Sequence, residues 1–337
     1  MMSCLSAFYG LLTGLERNFF ATFPFLCYKP SARVISVGNL SMGGTGKTPL
    51  LFELLSELEK FNTCVLSRGY RSPWEKSFYY LQGTGPHPRE LTDEALLLNA
   101  RFPQTPVLLG KNRHHSAIVA EKRFKPQLIL LDDGFQYRRL RKDIDLVLWD
   151  AMSEPREAQM IPAGRLREPI WRLSQASAVF LTRCESAGSD MVDYWLKWIA
   201  TQAPNVPVIM TKTICEGLYD YRSRKFAILP SARKYLAFSA IGRPDSFYCQ
   251  LESLGCSVLK KVEFRDHHRF TDAELKSIGE QASVSQLQPV CTEKDFCKIS
   301  PDIAEKLNIA VLRIRTVPSS GRTFSEELAA HNILLAL

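Results

Sequence analysis

The chain has 337 residues, 45% of them hydrophobic and 23% charged, with a formal net charge of +8. This is the composition of a soluble globular protein, and it excludes a long disordered or collagen-like chain. The length predicts two domains, and the positive balance favours an anionic partner over a polycationic one. The nine cysteines include no C-x-x-C pair, so neither a zinc site nor a disulfide framework is predicted, and they are read as reduced, mostly buried thiols. His114-His115 and His267-His268 are neighbours in sequence, which on a helix do not face one site.

Residues 3–28 are rich in Leu, Phe and Tyr but interrupted by Glu16 and Arg17. That is not the 20 or so uninterrupted apolar residues of a membrane span. Nothing basic precedes Arg17, as a secretory signal would require. Two readings remain: a helix lying on a bilayer surface, or one packed on the protein. After Pro30, short apolar runs alternate with helical stretches. Val34–Val37 reads as a buried strand and Lys47–Lys60 as a helix, with Leu50, Leu51, Leu54, Leu55 and Leu58 on one side. Cys64–Leu66 is a second strand. Asp93–Ala100 reads as a helix capped by Thr92. Pro106–Leu109, Leu128–Leu131, Ile144–Trp149 and Ala178–Thr182 continue as strands, with a helix over Arg113–Arg123. A second series follows, with strands at Val206–Met210, Tyr235–Ile241, Ser257–Phe264, Val290–Cys291 and Ala310–Ile314. The mixed segment Cys215–Pro230 is the expected crossover between lobes. The fold class is therefore α/β: a P-loop-like doubly wound parallel sheet with a second, smaller α/β lobe, preceded by an N-terminal helix for which membrane association is one of the two open readings. The expected divisions are residues 1–30 for that helix, 31–214 for the P-loop-like core and 215–337 for the C-terminal lobe.

Ligands of such sheets lie beyond the carboxyl ends of the strands. There the chain reads Val37-Gly38-Asn39-Leu40-Ser41-Met42-Gly43-Gly44-Thr45-Gly46-Lys47-Thr48-Pro49. A strict phosphate loop is G-x-x-x-x-G-K-[ST], and Ser41 stands at its first glycine. The phosphate-contacting parts remain. Ser41, Met42, Gly43, Gly44, Thr45, Gly46, Lys47 and Thr48 form the candidate nucleotide cradle, with Lys47 reaching the outer phosphates and the Thr48 hydroxyl available to Mg²⁺. Partner-switching ATPases place a lysine where Met42 stands. A guanine-specific N/T-K-x-D signature is lacking, so ATP is the expected nucleotide. Asp132 and Asp133 end a buried strand, the usual position of an acid that orders Mg²⁺. For the proton acceptor that a kinase needs, spacing alone leaves Asp93, Glu94, Glu168 and the histidines open. The basic run Arg138-Arg139-Leu140-Arg141-Lys142 fits either a solvated face or a patch for a substrate phosphate or anionic headgroups. No reading motif for nucleic acid is present.

An ordered set of strings runs from residue 33 to about 298. It comprises Ser36–Pro49, Leu66-Ser67-Arg68-Gly69-Tyr70, Asp93-Glu94, Asp132-Asp133-Gly134-Phe135-Gln136, Pro162–Pro169, Phe264-Arg265-Asp266-His267-His268 and Thr292-Glu293-Lys294-Asp295. This set resembles the tetraacyldisaccharide 4′-kinases of lipid A biosynthesis. The resemblance implies an enzyme that moves the γ-phosphoryl group of ATP to the 4′-hydroxyl of a tetraacyldisaccharide 1-phosphate. It also implies a peripheral position on the cytoplasmic face of the inner membrane of a lipid A-making bacterium, with no obligate protein partner. On the same footing Asp93 is the base and His267 its orienting partner, brought together by closure of two lobes. Thr48, Asp132, Asp133 and Glu168 are the implied Mg²⁺ ligands. Three positions depart from the family pattern: Thr92 for glycine, Tyr137 for histidine, and Arg165 in the Pro-Ala-Gly string. The competing readings are a P-loop ATPase switch and a soluble small-molecule kinase.

Overall fold

The computed structural model describes residues 2–83, 90–220, 225–226 and 233–333. The chain opens with helix α1 (Met2–Thr22). There follow β1 (Arg33–Asn39), α2 (Lys47–Glu57), β2 (Thr63–Ser67), β3 (Tyr79–Leu81), α3 (Asp93–Arg101), β4 (Val107–Leu109), α4 (Arg113–Phe124), β5 (Leu128–Asp132), β6 (Ile144–Asp150) and β7 (Ala178–Thr182). Next come α5 (Cys184–Ala187), α6 (Ser189–Gln202), β8 (Val208–Asp220), β9 (Lys225–Phe226), β10 (Lys234–Ser239), α7 (Pro244–Ser253) and β11 (Ser257–Glu263). The chain ends with α8 (Asp272–Val284), β12 (Gln288–Thr292), α9 (Glu293–Phe296), α10 (Pro301–Leu307), β13 (Ala310–Pro318) and α11 (Phe324–Ala330).

Two compact units are formed. One comprises Met1–Glu90, Phe102–Thr213 and Thr316–Leu337; the other comprises Leu91–Arg101 and Ile214–Arg315. The expected divisions at residues 30 and 214 are continuous in sequence, whereas each compact unit takes a segment from elsewhere. The short excursion Leu91–Arg101 carries α3 into the second unit.

In the first unit the strand order is β8-β7-β6-β1-β5-β2-β4-β3. Every neighbouring pair is parallel except β3 with β4. From central β1 the chain winds one way to β5, β2 and β4 and the other way to β6, β7 and β8, which is the doubly wound pattern. Its strands are buried on both faces, which is why they read as unbroken apolar runs rather than alternating ones. One face packs Val34, Cys64, Leu66, Ile129 and Leu131 on Ala117 and Ala120 of α4. Farther along the same face, Val147, Trp149, Val179 and Leu181 pack on Trp195 and Ile199 of α6.

The second unit has the order β11-β10-β12-β13-β8. Here period 2 is visible: Tyr235 and Ala237 join one core with Phe247 and Leu251 of α7, while Leu236 and Phe238 join another with Leu275 and Ile278 of α8. Cys215–Asp220, expected as a crossover, is the second half of β8, whose first half alternates from buried Ile209 to exposed Ile214. Residues 221–224 and 227–230 of that expected crossover lie outside the described residues. Among the described residues the cysteines form no disulfide.

Of the two readings of the N-terminus, packing on the protein is seen at the start of α1. The Ser6 hydroxyl donates to the Met160 carbonyl at 3.0 Å and accepts the Ala163 N–H at 3.2 Å. Farther along, Leu15 and Phe19 are exposed, as are Phe23 and Phe25 just beyond the helix, with Phe25 at 78%. No helix among the described residues is long and apolar enough to cross a membrane.

Candidate active site

The glycine-rich loop leaves the buried end of β1 and enters α2, with Gly46 in the left-handed region at the N-cap (φ 85°). The first turn of α2 holds no acidic residue, so its free N–H groups and positive helix end are left for an anion. Gly43 and Gly44 are exposed, so the loop is open to solvent. Ser41 is tolerated at the expected glycine because it is not left-handed. It lies in a short antiparallel bridge with Leu166, where the Met42 N–H donates to the Arg165 carbonyl at 2.8 Å and the Arg167 N–H to the Leu40 carbonyl at 2.7 Å.

Asp132 pairs in register with Val37 of β1, which sets the acidic strand end beside the loop. Gly38 lets the following turn cross β1 closely: a Cβ there would lie 2.7 Å from the Phe135 backbone nitrogen. The turn, with Asp133 itself left-handed (φ 51°), carries the Asp133 carboxylate to within 3.3 Å of Lys47 Nζ. Arg167 forks onto both Asp133 oxygens at 2.9 Å each. Burial pushes the Asp133 carboxyl up, but Arg167 and Lys47 outweigh it and hold it well below the usual carboxylate range. Asn39 completes the arrangement. Its Oδ1 accepts from Lys47 at 3.0 Å and from Arg167, and its Nδ2 donates to the Ser41 carbonyl at 2.7 Å. The motif reading did not assign roles to Asn39 and Arg167, although both lie in the quoted strings.

Glu168, expected beside Mg²⁺, is buried among arginines. Its Oε1 takes Arg138 Nη2 at 2.6 Å and its Oε2 lies 3.6 Å from Arg172 Nε. Arg138 and Lys142 of the basic run thus turn inward, Lys142 onto Asp145 at 2.5 Å, while Arg139 and Arg141 are exposed. Among the described residues no three His, Cys, Asp or Glu side chains converge as a preformed cation site. The oxygen donors near the loop still suit Mg²⁺, which keeps several waters and takes substrate phosphates as ligands, so it needs only one or two carboxylates. The Ser67 hydroxyl donates to Asp132 Oδ2 at 2.9 Å and orients that carboxylate.

The second cluster lies in the second unit, at the carboxyl ends of β10, β11 and β12. Asp93 opens α3, and the Thr92 hydroxyl accepts the Ala95 N–H at 3.3 Å, so the residue replacing the family's glycine serves as a cap. His267, left-handed at φ 63°, follows β11 and sets Nδ1 3.0 Å from Asp93 Oδ2. The two residues belong to one compact unit, so this pair forms without the lobe closure expected from sequence. Lys298, only 1% exposed, places Nζ 3.3 Å from the same Asp93 oxygen and 2.9 Å from Asp295 Oδ1. Asp295 is held in turn by the Thr292 hydroxyl at 2.7 Å and the Ala240 N–H at 3.1 Å. Lys294 adds a third cation, 3.8 Å from Asp93 and 3.3 Å from Glu94. The Thr292-Glu293-Lys294-Asp295 string, to which the sequence reading gave no role of its own, therefore supplies Lys294 beside Asp93 and the Asp295 that holds Lys298. Tyr137, at the other departure, accepts the His114 N–H at 2.9 Å and stacks under Arg113.

Burial pushes the Asp93 carboxyl up, but His267, Lys298 and Lys294 more than offset this and its pKa is lowered. The hydrogen bond to Asp93 raises His267 above 6.5, against burial and Lys294. The stability contributed by Asp93 is therefore present above its ordinary value of 3.8 and lost as pH falls through the lowered one. That contributed by His267 is complete below 6.5 and lost as pH rises through the raised value. Thermal melts should show the wild-type advantage over His267→Gln largest near pH 5–6 and fading in the alkaline direction. An advantage that grows with pH would contradict the pairing.

The fold is thus that of an α/β protein with a mostly parallel, doubly wound sheet, whose central strand carries a glycine-rich strand–loop–helix unit with acids at the neighbouring strand end, the setting that phosphate binding requires. A sequence profile of the tetraacyldisaccharide-1-P 4′-kinase family (LpxK) matches residues 1–332. Curated relatives named tetraacyldisaccharide 4′-kinase include one from Chlorobaculum parvum, 31% identical over 96% of this chain and 91% of its own. Another, from Halothermothrix orenii, is 31% identical over 93% and 88%. The crystal structure of LpxK from Aquifex aeolicus in complex with ATP superposes with a TM-score of 0.77, at 26% identity over 97% of this chain and 96% of that one. The chain belongs to the tetraacyldisaccharide-1-P 4′-kinase family.

Proposed function

We propose that the chain moves the γ-phosphoryl group of ATP to the 4′-hydroxyl of a tetraacyldisaccharide 1-phosphate, a lipid A precursor. The bond from the γ-phosphorus to the ADP oxygen breaks, a bond to the acceptor oxygen forms, and the hydroxyl proton passes to Asp93. The observation that carries the reading is the glycine-rich loop running from β1 into the acid-free first turn of α2, in a chain matched along its length by this kinase family. Phosphoryl transfer goes through a loose transition state, so catalysis is mostly positioning and charge neutralisation. The loop and Lys47 supply the second. An Asp93 kept ionised by three cations is a weak base but a well-oriented acceptor, and a loose transition state asks for little more. Thr48, Asp132 and Asp133 would hold Mg²⁺, which when bound neutralises the donor's phosphate oxygens. Glu168 serves the buried charge network.

Transfer of labelled γ-phosphate from ATP to a purified tetraacyldisaccharide 1-phosphate tests this directly. ATP hydrolysis unaffected by the acceptor would favour an ATPase switch instead, a reading already disfavoured by Met42.

The acceptor is a lipid, and the apolar residues Leu15, Phe19, Phe23 and Phe25 are exposed at the N-terminus. We assign them to a bilayer surface, which puts the protein peripherally at the cytoplasmic face of the inner membrane of a lipid A-making bacterium. Phe19→Asp with Phe25→Asp should move the protein from the membrane pellet to the supernatant and depress turnover of the lipid acceptor more than ATP binding. Sedimentation with membranes unchanged in high salt would place the anchor elsewhere.

A further inference from the structure

We infer that Arg165 is an arginine finger in cis: a guanidinium carried by the chain's own Pro162–Pro169 segment that reaches the outer phosphates of the donor across Gly43. The inference rests on the nucleotide-site reading above and adds to it a residue which that reading leaves without a role. The backbone places it. Antiparallel pairing of Arg165–Arg167 with Leu40–Met42 puts the Arg165 carbonyl 2.8 Å from the Met42 nitrogen. The turn beneath is fixed, because the Leu166 N–H donates to the Gln159 carbonyl at 2.8 Å and a Cβ on Gly164 would collide with that same carbonyl. From this platform the side chain lies over the loop. A Cβ built on Gly43 would overlap Arg165 Nη2 and come within 3.4 Å of Cζ. Gly43 is left-handed at φ 116° and exposed, so the guanidinium covers the side of the loop that is open to an entering anion.

The charges around the loop differ in how firmly they are held. Lys47 and Arg167 are engaged with Asp133 and Asn39 at the loop's base. Arg165 is 42% exposed, and Glu157, its carboxylate partner at 3.2 Å, is 30% exposed. Exposed pairs of this kind are weak, roughly 0–1 kcal/mol, so a phosphate can displace Glu157 at little cost. A guanidinium fork can bridge two oxygens at once, which a lysine cannot. Charge in the transferring group spreads over its equatorial oxygens, so such a fork acts most strongly in the transition state and little on the product diphosphate.

The experiment compares the binding of MgADP alone with MgADP plus aluminium fluoride, a planar mimic of the transferring group, by calorimetry on the full chain. Arg165→Ala should leave MgADP affinity within about twofold, and should weaken the fluoride complex and lower kcat by about 10²–10³-fold, as expected for one lost charge-stabilising donor. Arg165→Lys should recover only a small part. Glu157→Gln, which frees the guanidinium, should bind the fluoride complex at least as well as wild type. Equal loss of both ligands would make Arg165 a residue that shapes the loop and would overturn the proposal, as would no loss of either. Wild-type protein that fails to bind MgADP would remove the nucleotide site itself, a distinct result.

Discussion

Asp93→Asn is expected to lower kcat by about 10²–10⁴-fold, the usual worth of a general base, with MgATP affinity little changed. The phosphate loop lies on β1 and α2, and Asp93 belongs to neither. His267→Ala should also act on kcat, since its Nδ1 contacts the same Asp93 oxygen at 3.0 Å. If the two act as one unit, the double variant will be little worse than the poorer single one. Losses that multiply would separate them. Loss of ATP affinity equal to the loss of rate would put Asp93 on the nucleotide side. The pH profile gives a further check. Because the Asp93 pKa is lowered, any acid limb due to this residue must fall below 3.8. A limb near neutrality therefore belongs to another group, and it should survive in Asp93→Asn.

Lys47→Ala should abolish transfer at any attainable ATP concentration. It removes the cation that opposes the transferring phosphoryl group, a contribution on the scale of about 10²–10³-fold for a single such interaction. The structure adds a second loss. Lys47 lies 3.3 Å from Asp133, whose carboxylate then keeps Arg167 as its close cation, so its negative charge near the loop would be less balanced and would repel a nucleotide. The variant should accordingly lose affinity for MgATP as well as rate, unlike Asp93→Asn. Steady-state kinetics with a separate MgATP binding measurement distinguishes the two patterns. Near-normal turnover of Lys47→Ala at saturating ATP would argue decisively against the phosphate loop.

Much of the first unit could be read from local pattern. A strand buried on both faces has to be a continuous apolar run, so Val34–Val37, Leu128–Leu131 and Ala178–Thr182 declared themselves, as did the loop and helix after β1. Glycines and a Gly-Lys-Thr run are short-range requirements of phosphate binding, so they stay contiguous and legible. Ser41 looked like a defect because its partner, Leu166, is 125 residues away and the bridge between them leaves no trace in either string.

The charged groups are where local reading ended. Asp93, His267 and Lys298 are widely spaced in sequence, and only the packing of α3 against the ends of β10, β11 and β12 puts them around one carboxylate oxygen. The run Arg138–Lys142 looked like a single patch, but backbone direction sent Arg138 to Glu168 and Lys142 to Asp145 while leaving Arg139 and Arg141 outside. Glu168, implied as a metal ligand by the resemblance, meets Arg172 four residues on and Arg138 thirty residues back, and only the second contact lies beyond local reading. The sequence by itself determined the sheet, the phosphate loop and the types of residue available for chemistry, because those depend on neighbours within a turn or a strand. Which charge meets which depends on distances across the fold, since electrostatic energy falls with separation in space and takes no account of separation along the chain. Only the tertiary structure could decide that.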